Sequence, residues 1–326
     1  MSDKTLTVLL PNYNYGHFIG ATLEAIFKQS FAPKEVIVVD DGSHDNSLEI
    51  IERYRQTYPN LILVKNKQNL GTNISNERSL AIATGDYVYA GAADDWPLPG
   101  FFERSMELLA KYPQAGFCCG DIEVYDGTNK FEKRAYLSDR PRYFSPSEAL
   151  ELFRRHPFTP FIPHSIIFKR QALASAGGYR PELEWTSDSF AFSVISFREG
   201  FCYRPEKVAV MRVHASQWGS ANAKKTNLER QVIRKLFEAA RLPEYADVLP
   251  LFEKTAPFSV YPWEVLWVAA GNKKYWPFIS FKLLRYALFD KLIRRPLLKV
   301  MPWGLARRTI NLANYLKFIL LKWLKK

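Results

Sequence analysis

The chain has 326 residues, with 45 Lys+Arg against 33 Asp+Glu, a formal net charge of +12; 47% of residues are hydrophobic and 24% charged. That length suits one large domain with a smaller one, and that balance excludes a disordered or collagen-like chain. The charge is not spread evenly. Residues 271–326 hold fourteen Lys+Arg and one acidic residue, Asp290, a net of +13, while residues 1–270 carry 31 basic and 32 acidic residues, a net of −1. No recognisable nucleic-acid module accompanies the surplus, so nucleic acid is not an expected partner.

The first half alternates strand and helix signals. Thr5–Leu10 is a short β-rich run ending at Pro11, and Phe18–Ser30 has helical spacing. Glu35–Val39 reads as a second strand running into Asp40-Asp41-Gly42-Ser43. Asn46–Tyr58 follows as a helix with Ser43 or Asp45 as its cap. Leu61–Lys65, Asp86–Ala90 and Ala115–Tyr125 read as further strands, with helices over Thr72–Ala83 and Phe101–Tyr112 between them. Apolar strands alternating with helices predict an α/β fold with a mostly parallel sheet and helices on both faces.

The middle is less regular. A helix is predicted over Ser147–Arg155, strands over His164–Phe168 and Lys207–Val213, and a helix over Ser187–Glu199. After about Asn222 strand signals fade, which divides the chain into an α/β domain over residues 1–222 and a helical, basic, aromatic region over 223–326. In residues 271–326, Trp276, Trp303 and Trp323 and several Phe and Leu lie between the Lys and Arg, the make-up of a helix lying in a membrane interface. The longest late apolar runs, Phe258–Gly271 and Leu312–Leu324, are too short to span a bilayer and contain charges. The N-terminus leads straight into a strand-like run without a signal-peptide pattern. The expected location is therefore cytoplasmic, peripheral on the inner face of the plasma membrane, with the anionic surface bound through residues 271–326. A second copy of the chain is the other candidate partner for this aromatic tail. Cys118, Cys119 and Cys202 show neither metal spacing nor a disulfide framework.

In open α/β sheets ligands bind beyond the carboxyl ends of the strands. There the sequence places Pro11-Asn12-Tyr13-Asn14-Tyr15-Gly16 after strand one, Asp40-Asp41-Gly42-Ser43 after strand two, and Gly91-Ala92-Ala93-Asp94-Asp95-Trp96 after strand four. A stacking aromatic, amides and four carboxylates at one sheet edge suit a divalent cation held by oxygen ligands and escorting phosphates. The G-x-G-x-x-G and G-x-x-x-x-G-K-[ST] patterns are absent.

Val8-Leu-Leu-Pro-Asn-Tyr-Asn-Tyr, Val36-Ile-Val-Val-Asp-Asp-Gly-Ser and Ala93-Asp-Asp-Trp, in this order, resemble glycosyltransferase family 2, inverting enzymes with the GT-A nucleotide-sugar fold. The likeness runs from about Leu6 to Ser220, and Asn69-Leu-Gly-Thr and Ala83-Thr-Gly-Asp-Tyr also match. The resemblance implies that Pro11 and Tyr13 border the nucleotide base, with Asp41 hydrogen-bonding it, uracil being the expected base. It implies that Asp94 and Asp95 bind ribose and a Mn²⁺ or Mg²⁺ on the diphosphate. Gly177–Leu183 with Ser187-Asp188 resembles the acceptor-side segment whose carboxylate, Asp188, is the catalytic base. Arg212-Val-His214-Ala-Ser216 resembles the late segment whose histidine joins the metal. A carboxylate at the start of a helix also serves commonly as a cap, so Asp188 has that second reading.

The sequence departs from the family pattern in three places. Ala92 stands where a first carboxylate is usual, Ser187 where Glu usually precedes the base, and Asn76-Glu77 where Arg-Asn is common. His156 and His164 match nothing and read as structural. The implied activity moves a sugar from a nucleotide diphosphate donor to a hydroxyl of a lipid-linked or cell-surface glycan. Ala92 motivates the alternative, a non-catalytic relative that binds nucleotide sugar or glycan within a biosynthetic complex.

Overall fold

A computed structural model describes residues 4–155, 161–214, 226–255, 262–289 and 291–292. The described residues up to Glu151 and from 161 to 214 make one compact unit; those of 152–155 and from 226 onward make a second. The expected boundary near Asn222 lies outside the described residues.

In the first unit, β1 (Leu6–Asn12), β2 (Glu35–Asp40), β3 (Leu61–Lys65) and β4 (Tyr87–Ala90) are joined by α1 (Gly16–Phe27), α2 (Ser47–Thr57) and α3 (Thr72–Ile82). They pair in parallel in the order β3-β2-β1-β4. Every residue of β2 is buried, as a strand covered on both faces requires. The α1 and α2 starts share one carboxylate: Asp45 accepts from Gly16 N–H at 2.8 Å and Ser47 N–H at 3.0 Å. Of the two caps expected for α2, Asp45 is the one that acts on the helix start. The Ser43 hydroxyl instead donates to Asp40 at 2.7 Å.

The remaining strands are β5 (Trp96–Pro97), β6 (Phe117–Tyr125), β7 (Lys130–Lys133), β8 (Arg142–Phe144), β9 (Ile166–Lys169) and β10 (Phe201–Arg212). Between them come α4 (Phe101–Lys111), α5 (Pro146–Arg155), α6 (Arg170–Ser175) and α7 (Ser187–Arg198). Here the sheet is mixed. β9 inserts antiparallel between β4 and β6, and β10 pairs parallel with β6. β10 also begins six residues before the predicted Lys207, because Arg204-Pro205-Glu206 interrupts the apolar pattern at a register shift. The three cysteines are free and buried, without metal or disulfide partners among the described residues.

The second unit is helical: α8 (Thr226–Ala240), α9 (Leu249–Thr255), α10 (Pro262–Ala270) and α11 (Phe281–Phe289), with 3₁₀ turns at Pro243–Tyr245 and Lys273–Phe278. Phe237 stacks on Phe278 at 4.3 Å and meets Tyr275 at 5.0 Å, which gives this unit its own aromatic core. No described helix is long and apolar enough to cross a membrane.

One buried carboxylate in the first unit has a testable consequence. Asp121 on β6 accepts from Tyr203 O–H at 2.9 Å and Ala135 N–H at 2.7 Å, both on Oδ1, and burial pushes its carboxyl up to about 6. A carboxyl raised above its unfolded value favours the fold below the unfolded pKa and loses that contribution as pH rises through about 6. Asp121→Asn keeps the accepting oxygen and removes the charge. Its melting midpoint should exceed wild type at pH 8 by about 2–4 °C, and the gap should close on acidification to pH ~4. A lower midpoint at pH 8 would contradict this assignment.

Candidate active site

The carboxyl ends of β1, β2 and β4 open into a cavity of about 580 Å³. Pro11, Tyr13, Asp41, Asp94, Asp95 and Asp188 all line it, so six of the seven residues singled out from sequence converge on one space. The seventh, His214, is bound to Asp94: its Nε2 lies 2.9 Å from Asp94 Oδ2. The contact joins residues 120 positions apart. It follows from strand pairing. After β4 the chain crosses to pair β5 with β10, Trp96 opposite Val210 and Pro97 opposite Ala209. That register sets Asp94-Asp95, just before β5, beside Arg212 and His214, just after the paired stretch of β10.

The turn carrying the two aspartates is pinned from both sides. The Thr22 hydroxyl of α1 donates to the carbonyls of Ala93 (2.9 Å) and Asp95 (2.8 Å). The Arg212 N–H donates to Asp95 Oδ1 at 2.7 Å. His214 is held by aromatic neighbours, edge-on to Tyr15 at 5.5 Å and tilted against Phe18 at 5.1 Å. The Arg212 guanidinium packs over the Phe18 ring at 3.9 Å and over Trp96 at 4.9 Å.

Burial pushes the Asp95 carboxyl up to about 6; His164 opposes this and the neighbouring Asp94 adds to it. His164, read from sequence as structural, lines the cavity with Nε2 3.2 Å from Asp95 Oδ2. That correction has a topological cause: the 3₁₀ turn at Pro163–Ser165 precedes the antiparallel strand β9, which brings it to the same sheet edge. His156 lies outside the described residues.

The two aspartates after β2 divide their work. Asp40 accepts from Asn12 Nδ2 (2.8 Å) and from the Ser43 N–H (3.0 Å) and hydroxyl, tying the first two loops together. Asp41 faces the cavity and also organises the loop before α3, accepting from Asn66 Nδ2 (2.6 Å), Leu70 N–H (2.9 Å) and Gly71 N–H (2.8 Å). A carboxylate has about four acceptor sites, so these three bonds leave capacity for a ligand N–H.

Asp188 stands in the first turn of α7. Ser189 donates to its Oδ1 through both N–H and hydroxyl, and no hydrogen bond to Oδ2 is seen among the described residues. The residue before α7 makes no side-chain cap, and Asp188 lies inside the helix, so the capping position is not its own. Burial raises its carboxyl above the usual carboxylate range, against the Ser189 bonds and His164.

Glu184, Trp185 and Asn73 also line the cavity and were not singled out from sequence, and Asn76, noted only as a departure from the family pattern, joins them. Glu184 adopts φ 49°, ψ −131°, a conformation rare outside glycine, and Asn73 Nδ2 donates to its carbonyl at 2.8 Å. Backbone strain of this kind concentrates at ligand sites. The buried Oδ1 atoms of Asn12 and Asn76 have no hydrogen-bond partner among the described residues, which leaves two acceptors at the cavity wall.

The described lining includes five carboxylates and no Lys or Arg. No cluster of three or more His, Cys, Asp or Glu among the described residues is arranged to hold a metal by itself. The donor set present is the Asp94–His214 pair with Asp95 Oδ2 beside it. Such a set fits an ion that takes these few protein ligands and completes its shell with phosphate and water.

The sequence model of Glycosyl transferase family 2 matches residues 7–176. The chain belongs to this family. It is 35% identical over 266 residues to the uncharacterized glycosyltransferase YibD of Escherichia coli K12, covering 77% of this chain and 75% of YibD. Solved structures of the same fold include S. aureus TarS 1–349 in complex with UDP-GlcNAc (TM-score 0.61, 16% identity, 88% of this chain and 84% of that one). They also include the mannosyltransferase PcManGT of Pyrobaculum calidifontis with GDP-Man and Mn²⁺ (TM-score 0.58, 20% identity, 98% and 87%). The family fold is GT-A, here followed by a helical C-terminal region.

The loop geometry under Asp41 can be tested directly. Gly42 has φ +77°, and a Cβ there would lie 2.9 Å from the Gln68 backbone. Gly42→Ala should cost at least about 1 kcal/mol of stability and speed hydrogen exchange at the Leu70 and Gly71 amides. Unchanged exchange at both amides would mean that Asp41 does not organise this loop.

Proposed function

We propose that the protein transfers a sugar, as a hexosyltransferase, from a nucleotide diphosphate, UDP-sugar being the expected donor, to a hydroxyl of a lipid-linked or cell-surface glycan, with inversion. One observation carries this reading: Asp94, bound to His214, and Asp188 line the same cavity at the carboxyl edge of the sheet.

In this reading Pro11 and Tyr13 border the base, and Asp41 uses its remaining acceptor capacity on a base N–H. Asp94, Asp95 and His214 would hold a divalent ion, Mn²⁺ or Mg²⁺, at the diphosphate. The described lining carries five carboxylates and no Lys or Arg, a surface that suits a cation brought in with the diphosphate. When bound, the ion supplies Lewis-acid stabilisation of the charge that develops on the leaving diphosphate.

Asp188 takes the proton of the acceptor hydroxyl through Oδ2 as that oxygen attacks the anomeric carbon. The new carbon–oxygen bond forms on the face opposite the breaking one, whose electron pair leaves with the diphosphate. Ser189 fixes the other carboxylate oxygen, so the base is held in one orientation. Because burial raises the Asp188 carboxyl, it is a stronger base than an ordinary carboxylate and remains protonated to a higher pH.

The excess charge of residues 271–326 supports work at the inner face of the plasma membrane, where anionic headgroups attract Lys and Arg. Most of that segment lies outside the described residues.

Two measurements test the chemistry. Asp188→Asn should lower kcat by about 10²–10⁴-fold while leaving the Kd for UDP in Mn²⁺ unchanged; turnover equal to wild type would remove Asp188 as the base. In wild type, kcat should fall on acidification at a pH above that of an ordinary carboxylate, and this acid limb should vanish from the residual activity of the variant. UDP binding with no transfer to any acceptor by wild type would favour the non-catalytic reading that Ala92 motivates.

A further inference from the structure

The second unit carries an apolar stripe that its own core does not use. In α11, Leu283 and Ala287 are fully buried. Away from these Phe281 is 76% exposed, Leu284 42% and Leu288 55%, and Leu292, four positions further along the sequence, is 68% exposed. Residues three and four apart stand on one helix face, so Phe281, Leu284 and Leu288 form a line, where a surface helix in water would carry polar side chains.

The exposed tryptophans of this unit are paired with cations. Trp267 and Trp276 are each about half exposed. The Arg230 guanidinium lies 3.9 Å from the Trp267 ring centre and Lys273 Nζ 6.0 Å from that of Trp276. Lys291 Nζ sits 4.2 Å over Trp263, and Lys273, Lys274 and Lys291 are exposed. Trp with Lys or Arg beside exposed Leu and Phe is the composition of a surface seated at lipid headgroup level, aliphatic stems and rings inward and charges outward.

We infer that the Phe281–Leu284–Leu288 stripe, continued by Leu292, is the face that enters an anionic lipid surface, with α11 lying in the plane of the interface. This rests on the membrane placement proposed above and names the side chains that perform it. Charge selects lipid over a second copy of the chain. The stripe belongs to a segment of net +13, which a second copy would set against its like and an anionic bilayer would neutralise. The nine-residue helix is far too short to span a bilayer, so the stripe can be buried in lipid only lengthwise.

Sedimentation of the full chain with vesicles of equal parts phosphatidylglycerol and phosphatidylcholine, and of phosphatidylcholine alone, tests this. Wild type should bind the anionic vesicles and release in high salt. Phe281→Ser with Leu288→Ser should lower the partition coefficient by about tenfold or more, with an unchanged melting midpoint, since both side chains are mainly exposed. Lys273→Gln with Lys274→Gln and Lys291→Gln should weaken binding at low salt only. A serine double variant that binds as wild type overturns the stripe while leaving attachment by charge intact. Wild type that ignores every vesicle overturns the membrane placement itself. A concentration-dependent dimer, dispersed by the serine variant and blind to vesicles, gives the stripe to a second copy and likewise overturns the inference.

Discussion

The site depends on the contact between Asp94 and His214, which closes two distant strand ends onto one another. β4 and β10 are not neighbours in the sheet; β9 and β6 lie between them. The two-residue strand β5 bridges that gap by leaving the end of β4 and pairing with β10. Without this crossing, Asp94 would lack the His214 imidazole. The Thr22 hydroxyl and the Arg212 N–H then fix the turn, so the carboxylates are positioned by backbone and by α1 rather than by mutual attraction.

Gathering five carboxylates in one cavity is electrostatically costly unless each is engaged or a cation is supplied. Asp41 is engaged by two backbone amides and Asn66, Asp94 by His214, and Asp95 by the Arg212 amide with His164 close by. Asp188 has one oxygen held by Ser189 and no hydrogen bond to the other among the described residues, and burial raises its carboxyl. That gradient, from fully bound to half free, separates carboxylates built into the framework from one with an oxygen left for chemistry. The family assignment gives the gradient a use, since sugar transfer asks for a charge-holding group and a free base at the two ends of one reacting bond.

The first four strands, their helices and the polar loops after β1, β2 and β4 were legible because apolar runs there end abruptly at Pro11, Asp40 and Gly91. What stayed hidden follows from long-range pairing. β5, β7 and β8 are two to four residues long, too short for a periodic signal. Pro205 and two charges masked the start of β10. The antiparallel insertion of β9 leaves no local mark, and it is this insertion that turns His164 from an unremarkable residue into a cavity wall beside Asp95. The choice of Asp41 over Asp40 came from the family resemblance and not from the local pattern, because adjacent strand residues point to opposite faces and a pair of aspartates does not say which one faces the ligand. Glu184 escaped because backbone strain has no sequence signature outside glycine.

The central claim is that Asp94 and His214 together hold the ion on a nucleotide diphosphate. Pulsed electron paramagnetic resonance of Mn²⁺ bound with UDP reads the atoms next to the ion directly. The account predicts hyperfine coupling to an imidazole nitrogen in wild type that is lost in His214→Gln. Mn²⁺ and UDP bound to wild type with no nitrogen coupling, and with a spectrum unchanged in His214→Gln, would contradict it.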